Sequence, residues 1–236
     1  MNFVLHLHLG ARDLGSPAAG AGAMLPDLWR MADRRVRARA APFDAGADVA
    51  GPLAAVLSGI AHHLRVDRWF HADPVFTEGE REASRLVREA GVAAPRAVLL
   101  AHVLWELCLD GALVLRLGLG PTLDLLRAGI DALRPVAPRA AELHHFARVD
   151  RTAAEREIFT ARLERILDEL ARGPWIDGYQ TGAGVTARIQ GVRRGLGLPP
   201  MEADDRARLA AVADSLLSRA PAAVARIERA TLAAKA

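Results

Sequence analysis

The chain has little of what marks secreted, disulfide-rich or β-rich proteins. Its one cysteine, Cys108, cannot form an internal disulfide, which excludes a disulfide-stapled scaffold and fits a reducing compartment. Cys108 lies in an apolar helical pattern, so it is expected to be a small core residue and not a nucleophile. Aromatic residues make up only 5% of the chain, and period-two alternation is confined to residues 3–9. Strands are therefore not expected to dominate.

Several common functions also lack their signals. The sequence contains no glycine-rich phosphate loop, no dinucleotide fingerprint and no nucleophile elbow with a Ser/His/Asp series. The net charge of +3 is small, and the arginines of the chain do not form the dense basic tract that a nucleic-acid partner would require. The most apolar stretch, residues 97–117, is interrupted by charged side chains, which argues against a membrane span. The opening MNFVLHLHLG lacks a basic leader and a cleavage site, so a cytoplasmic location is expected.

What the chain does have is a helical composition. Ala, Leu, Arg and Glu dominate, and 236 residues that are 51% hydrophobic can bury one sizeable core. No repeat or long linker separates segments, so we predict one all-α domain over residues 1–236, a helical bundle. Ala41–Gly51 is predicted to be a loop. A later helix is expected to begin either at Pro74, with Asp73 as its N-cap, or a few residues later, where Thr77-Glu78-Gly79-Glu80 has capping-box spacing. Helices are predicted at about 2–10, 20–33, 51–70, 76–90, 95–117, 121–133, 137–148, 152–172, 174–180, 183–195 and 202–230.

Two helical segments carry rows of imidazoles and carboxylates. The segment GIAHHLRVDRWFHADP holds three of the eight histidines, and His63, Asp67 and His71 are spaced four residues apart, which predicts one polar row. A second row on the apolar segment 97–117 would contain His102, Glu106 and Asp110. A buried ionisable group costs several kcal/mol unless it is paired or bound to a metal.

The two rows would stabilise each other if they faced one another across a bundle. His63, Asp67, His102 and Glu106 would then be the direct ligands of one or two shared ions. Nitrogen and oxygen donors without a thiolate suit Mn, Fe, Mg or an open zinc site, and not a closed cysteine site. Such an ion binds phosphoryl oxygens and activates water near neutral pH. The alternative is that these side chains form interhelical hydrogen bonds and salt bridges.

Five segments, in order along the chain, resemble the acyl carrier protein phosphodiesterase family. They are MNFVLHLHLG, GAGAMLPDLWRM, GIAHHLRVDRWFHADPVF, LLAHVLWELCLDGAL and PWIDGYQTGAGVTARIQGVRRGL, and together the matches span most of the chain. The resemblance implies an all-helical fold similar to the HD-domain phosphohydrolases and a divalent metal ion. It also implies hydrolysis of the phosphodiester that joins 4′-phosphopantetheine to a serine of acyl carrier protein.

The resemblance also implies roles for individual residues. Asp27 and Asp67 are the expected catalytic residues, with Asp27 orienting or deprotonating the attacking water. Departures from the family pattern are the exchange that places His71 before Asp73, and the replacement of two aspartates by His102 and Glu106. Every exchanged position keeps a possible metal ligand. The expected ligands are His6, His63, Asp67, His71, His102 and Glu106.

The family's phosphate-gripping arginine is replaced by Leu64, so Arg65 or Arg68 is the candidate substitute. Arg34 and Arg35, in the densest basic run, are candidates for docking an acidic carrier protein. The expected function is therefore metal-dependent phosphodiester hydrolysis on acyl carrier protein or another phosphopantetheinylated carrier. Two alternatives stay open within enzymes, a hydrolase of another phosphoester and an oxidative di-metal enzyme. A catalytically silent carrier-binding protein is the alternative from another class.

Overall fold

A computed structural model describes residues 3–38, 50–93, 97–146 and 149–233. All regular structure in these ranges is helical, which confirms the predicted all-α class. The similarity to the HD-domain fold stays a prediction, and most of the predicted Ala41–Gly51 loop lies outside the described residues. The helices are α1 Phe3–Leu14, α2 Pro17–Ala32, α3 Gly51–Phe70, α4 Pro74–Glu89, α5 Ala97–Leu117, α6 Leu119–Leu133, α7 Ala137–His144, α8 Ala153–Arg172, α9 Pro174–Asp177, α10 Gly182–Gly195, α11 Ala203–Leu217 and α12 Ala220–Ala233, with a 3-10 turn at Gly178–Gln180.

Local sequence signals set several helix ends. The Asp73 side chain accepts a hydrogen bond from the backbone N–H of Val75 (2.7 Å), and Pro74 occupies the first helical position, which is the earlier of the two predicted starts. Thr152 and Glu155 form a reciprocal capping box at the start of α8. Gly173, at φ +78°, ends that helix in the left-handed conformation that glycine adopts without steric cost.

The prediction of one long C-terminal helix over 202–230 is wrong. The chain instead forms α11 and α12, separated at Ser218 and Arg219. Pro221 lies in the first turn of α12, where its missing N–H costs nothing, whereas inside one continuous helix it would remove a hydrogen bond. Helical periodicity continues through this break, so the pattern of apolar residues alone does not reveal it.

The chain divides into two compact units. Unit 1 comprises Met1–Leu5, Trp69–Thr122 and Pro174–Ala236, and unit 2 comprises His6–Arg68 and Leu123–Gly173. The prediction of a single domain over residues 1–236 stays a prediction.

Unit 1 is organised around α5, which contacts α4, α10, α11 and α12. Cys108 is buried there, as expected of a core residue. The fully buried Asp110 carboxylate accepts hydrogen bonds from the backbone N–H groups of Val4 (3.2 Å) and Leu5 (2.9 Å) in the first turn of α1. Asp110 therefore caps a helix from a distant point in the chain, and it meets the positive end of the helix dipole.

One helix in the described residues, Val98–Leu117 within α5, is long and apolar enough to cross a membrane. Most of that segment is buried inside the protein itself. The core position of α5 in unit 1 accounts for its apolar composition without a bilayer.

Unit 2 brings α1, α2 and α3 into close contact through small residues. A Cβ atom added at Gly20 would lie 2.6 Å from the carbonyl oxygen of Leu7, and one at Gly22 would lie 2.2 Å from that of Val56. A Cβ atom at Gly59 would lie 2.0 Å from the carbonyl oxygen of Ala19. Only glycine allows backbones to approach this closely, so these three positions fix how α1 and α3 pack on α2.

Candidate metal centres

Unit 2 contains a cluster of His6, His63 and Asp67, here called the unit 2 trio. One ligand atom of each residue lies within 4.8 Å of the others. The two imidazole rings have centroids 4.1 Å apart and are tilted by 35°. Both histidines are buried and Asp67 is half-buried, so the trio has one side nearer to solvent.

The packing of α2 against α3 positions His63. Gly59 lies one turn before His63 and rests on the backbone of α2 at Ala19. One turn further along α2, the carbonyl oxygen of Ala23 lies 2.8 Å from His63 Nδ1. A carbonyl can only accept, so Nδ1 donates to it, which leaves Nε2 as the nitrogen that would bind a metal.

Unit 1 contains a second cluster, His71, His102 and Glu106, here called the unit 1 trio. The two imidazole rings stack with centroids 5.0 Å apart and an interplanar angle of 18°. Glu106 Oε1 lies 3.4 Å from His102 Nε2 and 3.9 Å from His71 Nε2. Phe76 packs edge-on against both rings.

A fourth residue in unit 1, Glu80 on α4, supports this trio. Its Oε1 atom lies 3.0 Å from His102 Nδ1. With Nδ1 facing Glu80, the Nε2 atom faces Glu106, which is the orientation that a carboxylate–histidine–metal relay requires. Close packing of α4 on α5 holds the contact in place, because the Trp105 ring lies where a Cβ atom of Gly79 would be.

Charges in unit 1 interact strongly. Burial alone would raise the pKa of the Glu106 carboxyl, but nearby positive charge, including that of its hydrogen-bond partner His102, lowers this pKa to about 2. The hydrogen bond to Glu106 raises the pKa of His102, against the opposing effect of burial. Asp110, one turn along α5, behaves in the opposite way, because complete burial raises its pKa to about 7. Glu106 is therefore ionised at neutral pH and suited to bind a cation.

Every residue predicted to bind metal belongs to one of the two trios, but the grouping differs from the predicted rows. His71 was expected in a row with His63 and Asp67, and this is wrong because α3 ends at Phe70. The i+8 rule applies only while the helix continues, and His71 instead joins His102 and Glu106. The prediction of one or two ions shared by the two rows stays a prediction.

Two other carboxylates in these segments have structural roles. Asp110, the predicted third member of the second row, caps α1 instead. Asp73 caps α4 and forms an ion pair with Arg226 (3.3 Å). Of the two neighbours, His71 therefore belongs to a trio, whereas Asp73 caps a helix.

The predicted catalytic and substrate-binding residues outside the trios are all at least partly exposed. Asp27 is half-buried on α2, one turn after Ala23, and belongs to neither trio. Arg65 and Arg68 are exposed on α3, and Arg34 is exposed after α2. Arg35 is also exposed, and its guanidinium donates three hydrogen bonds to Asp33 (2.8, 3.0 and 3.2 Å). The roles predicted for these five residues stay predictions.

Two groups that orient the histidines were not found from the sequence. The contact to the Ala23 carbonyl involves the backbone, so the type of side chain at position 23 does not indicate it. Glu80 is one of several charged residues on an amphipathic helix, and nothing in the sequence distinguishes it from the others. Each lies on a different helix from the histidine that it contacts.

An apolar pocket in unit 1, lined by residues such as Leu99, Ile189 and the buried Arg193, includes no member of either trio.

Comparison with family models, curated proteins and solved structures finds no match to this chain. The phosphodiesterase resemblance therefore remains an expectation from the sequence.

Proposed function

We propose that this protein is a divalent-metal-dependent hydrolase of phosphoesters. The observation that carries the proposal is that each unit contains two histidines and a carboxylate with converging ligand atoms, and that one histidine of each trio has its Nδ1 held by an acceptor. The ligands of a first-row ion stand roughly 3–4.2 Å from one another, given metal–ligand distances of about 2.1 Å. The 4.8 Å limit within each trio is close to that geometry.

The donor set supports a bound ion more strongly than a plain salt-bridge network. Imidazole nitrogen and carboxylate oxygen suit Mn, Fe or Zn in sites that keep open positions. A divalent ion there would polarise a phosphoryl oxygen and lower the pKa of a bound water. His63 would keep Nε2 directed at the ion through its bond to Ala23, while Asp67 supplies negative charge from the half-buried side of the trio.

The remaining residues have roles carried over from the resemblance. Asp27 would accept the proton of the attacking water, since it lies on the helix that orients His63. Arg65 or Arg68 would contact the phosphate. The expected substrate is the phosphodiester of a phosphopantetheinylated carrier protein, whose acidic surface would meet Arg34 and Arg35.

The test measures bound metal and release of phosphopantetheine. The purified protein is expected to contain a divalent ion and to release phosphopantetheine from holo acyl carrier protein when Mn²⁺ is supplied. Asp67→Asn should lower kcat/KM about 100-fold or more, since a metal ligand contributes several kcal/mol of transition-state stabilisation. Asp124→Asn, an exposed carboxylate change in unit 2, is the matched control. Equal rates for both variants would contradict the proposal, whereas bound metal without release would overturn only the substrate.

An oxidative enzyme is the second candidate, and one observation favours it. Two histidines and one carboxylate form the ligand set of non-haem Fe(II) oxygenases. Iron as the resident metal, together with oxygen consumption and no phosphoester hydrolysis, would establish this candidate in place of the first. The third reading, a silent carrier-binding protein, predicts no bound metal and unchanged carrier binding in Asp67→Ala and Glu106→Ala.

A further inference from the structure

We infer that Glu80 is a positioning residue that makes the unit 1 trio a tighter ion site than the unit 2 trio. The inference rests on the proposed function only in taking a divalent ion as the ligand. It concerns a residue that belongs to neither trio.

The first step is the line of contacts through His102. Glu80 Oε1 lies 3.0 Å from Nδ1, and Glu106 Oε1 lies 3.4 Å from Nε2. The imidazole therefore has a carboxylate at each end, one on α4 and one on its own helix. An ion bound by Nε2 and Glu106 would leave the Nδ1 proton directed at Glu80, so His102 keeps its orientation when the ion is present.

The second step is the contrast with His63. Its Nδ1 donates to the carbonyl of Ala23, which carries no net charge. A carboxylate polarises the N–H bond more strongly than a carbonyl and makes Nε2 a better electron donor. Changes to such supporting groups usually alter metal affinity 10- to 100-fold. The site that contains His102 should therefore bind its ion more tightly than the site that contains His63.

The third step is the rigidity of the support. Three residues of α4 contact the trio or its neighbour Trp105. Phe76 packs against the imidazole rings of His71 and His102, and the Trp105 ring packs against Gly79. Glu80 forms a hydrogen bond with His102. Trp105 is itself buried, next to Glu106 in sequence. A support that is fixed by packing loses little freedom when the ion binds, which favours affinity.

The competing explanation is a structural ion pair. A protonated His102 between Glu80 and Glu106 would satisfy the same distances without any metal. The two explanations differ in what Glu80 controls, because a structural pair affects the stability of the metal-free protein whereas a positioning role affects ion affinity.

The experiment counts bound Mn²⁺ from the loss of the free-ion EPR signal, using the 236-residue chain freed of metal with EDTA. Wild type should bind two ions. His63→Ala removes the unit 2 site and His102→Ala removes the unit 1 site, so each variant isolates the other site. The ion retained by His63→Ala should have a dissociation constant at least about tenfold lower than the ion retained by His102→Ala.

Substitutions at position 80 are then made in the His63→Ala background. Glu80→Gln keeps an acceptor but removes its charge, and should weaken Mn²⁺ binding about tenfold. Glu80→Ala removes both and should weaken it by up to about 100-fold. Glu78→Gln makes the same charge change at an exposed position on the same helix and should leave the affinity unchanged.

The outcomes separate this inference from the proposed function. Glu80 variants that lower the melting temperature in EDTA but leave Mn²⁺ affinity unchanged would overturn the inference, as would a wild type that binds no ion. If Glu80 substitutions weaken Mn²⁺ binding but the protein does not hydrolyse phosphoesters, the inference is supported and the proposed function is contradicted. Hydrolysis that needs metal but is insensitive to Glu80, with unchanged affinity, would do the reverse.

Discussion

The two trios contain the same kinds of ligand but are built in different ways. In unit 2 the backbones approach closely through glycine, and a backbone carbonyl orients His63. In unit 1 a large aromatic ring packs on glycine, and a carboxylate side chain orients His102. The comparison shows that one donor set can be supported by the backbone or by side chains, with different sensitivity to mutation.

The largest expected effect comes from the backbone contact in unit 2. Gly59→Ala places a methyl group 2.0 Å from the carbonyl oxygen of Ala19, so α3 must move away from α2. We expect a loss of about 3 kcal/mol in the free energy of unfolding, measured by urea denaturation. Of the two Mn²⁺ ions, the one bound by the unit 2 trio should be lost first. Unchanged stability would show that α2 and α3 adjust easily, and it would contradict the view that close backbone contact positions the unit 2 trio.

Two carboxylates one turn apart on α5 should differ in their response to pH. The folded pKa of Asp110 is about 7, above its ordinary value of 3.8, so the folded state binds this proton more tightly than the unfolded state does. The contribution of Asp110 to stability should therefore fall as pH rises from about 4 to about 7.

Asp110→Asn removes that pH dependence by removing the titrating group. Urea unfolding at pH 4.5 and 7.5 should show a drop of a few kcal/mol that is specific to wild type. Binding of Mn²⁺ should be unaffected, because Asp110 caps α1 and belongs to neither trio. Loss of an ion in this variant would mean that the structural assignment of Asp110 is wrong.

A smaller effect is expected at the aromatic contact of unit 1. A Cβ atom at Gly79 would lie 2.1 Å from the Trp105 ring, so Gly79→Ala forces the ring to shift. A side chain yields more readily than a backbone, and we expect a loss of about 1–2 kcal/mol. The shift should also move Glu80 away from His102 and weaken the unit 1 ion, as measured by Mn²⁺ titration. A weaker unit 2 ion instead would contradict the assignment.

The smallest expected effect is a gain in the free energy of unfolding, at a glycine that serves as the control for Gly59→Ala and Gly79→Ala. Gly191 is exposed in the interior of α10, and a Cβ atom there would meet nothing within 4 Å. Gly191→Ala should raise the free energy of unfolding by about 0.5–1 kcal/mol, because alanine loses less backbone entropy in a helix. Ion binding should not change. If stability fell, the losses at Gly59 and Gly79 could not be assigned to their contacts alone.

Much of the fold follows from local sequence signals. The all-α class and the extent of α3 are predicted correctly, and Asp73–Pro74 is one of two predicted starts of α4, because composition, capping and periodicity act over a few residues. The break between α11 and α12 is the exception. There the apolar spacing of a single helix continues, although Pro221 lies in the first turn of a new helix. The apolar spacing therefore predicts one helix where the chain forms two.

The candidate site divides in the same way. The types of ligand, and the spacing that places His63 near Asp67 and His102 near Glu106, follow from residue order, because four residues make about one helical turn.

Which side chains meet depends on how the helices pack. His6 lies beside His63, His71 lies past the end of α3 and meets His102, and Asp110 and Asp73 cap helices. Contacts between helices depend on where close packing is possible, at Gly59 and Gly79 for example, and no short-range pattern specifies that.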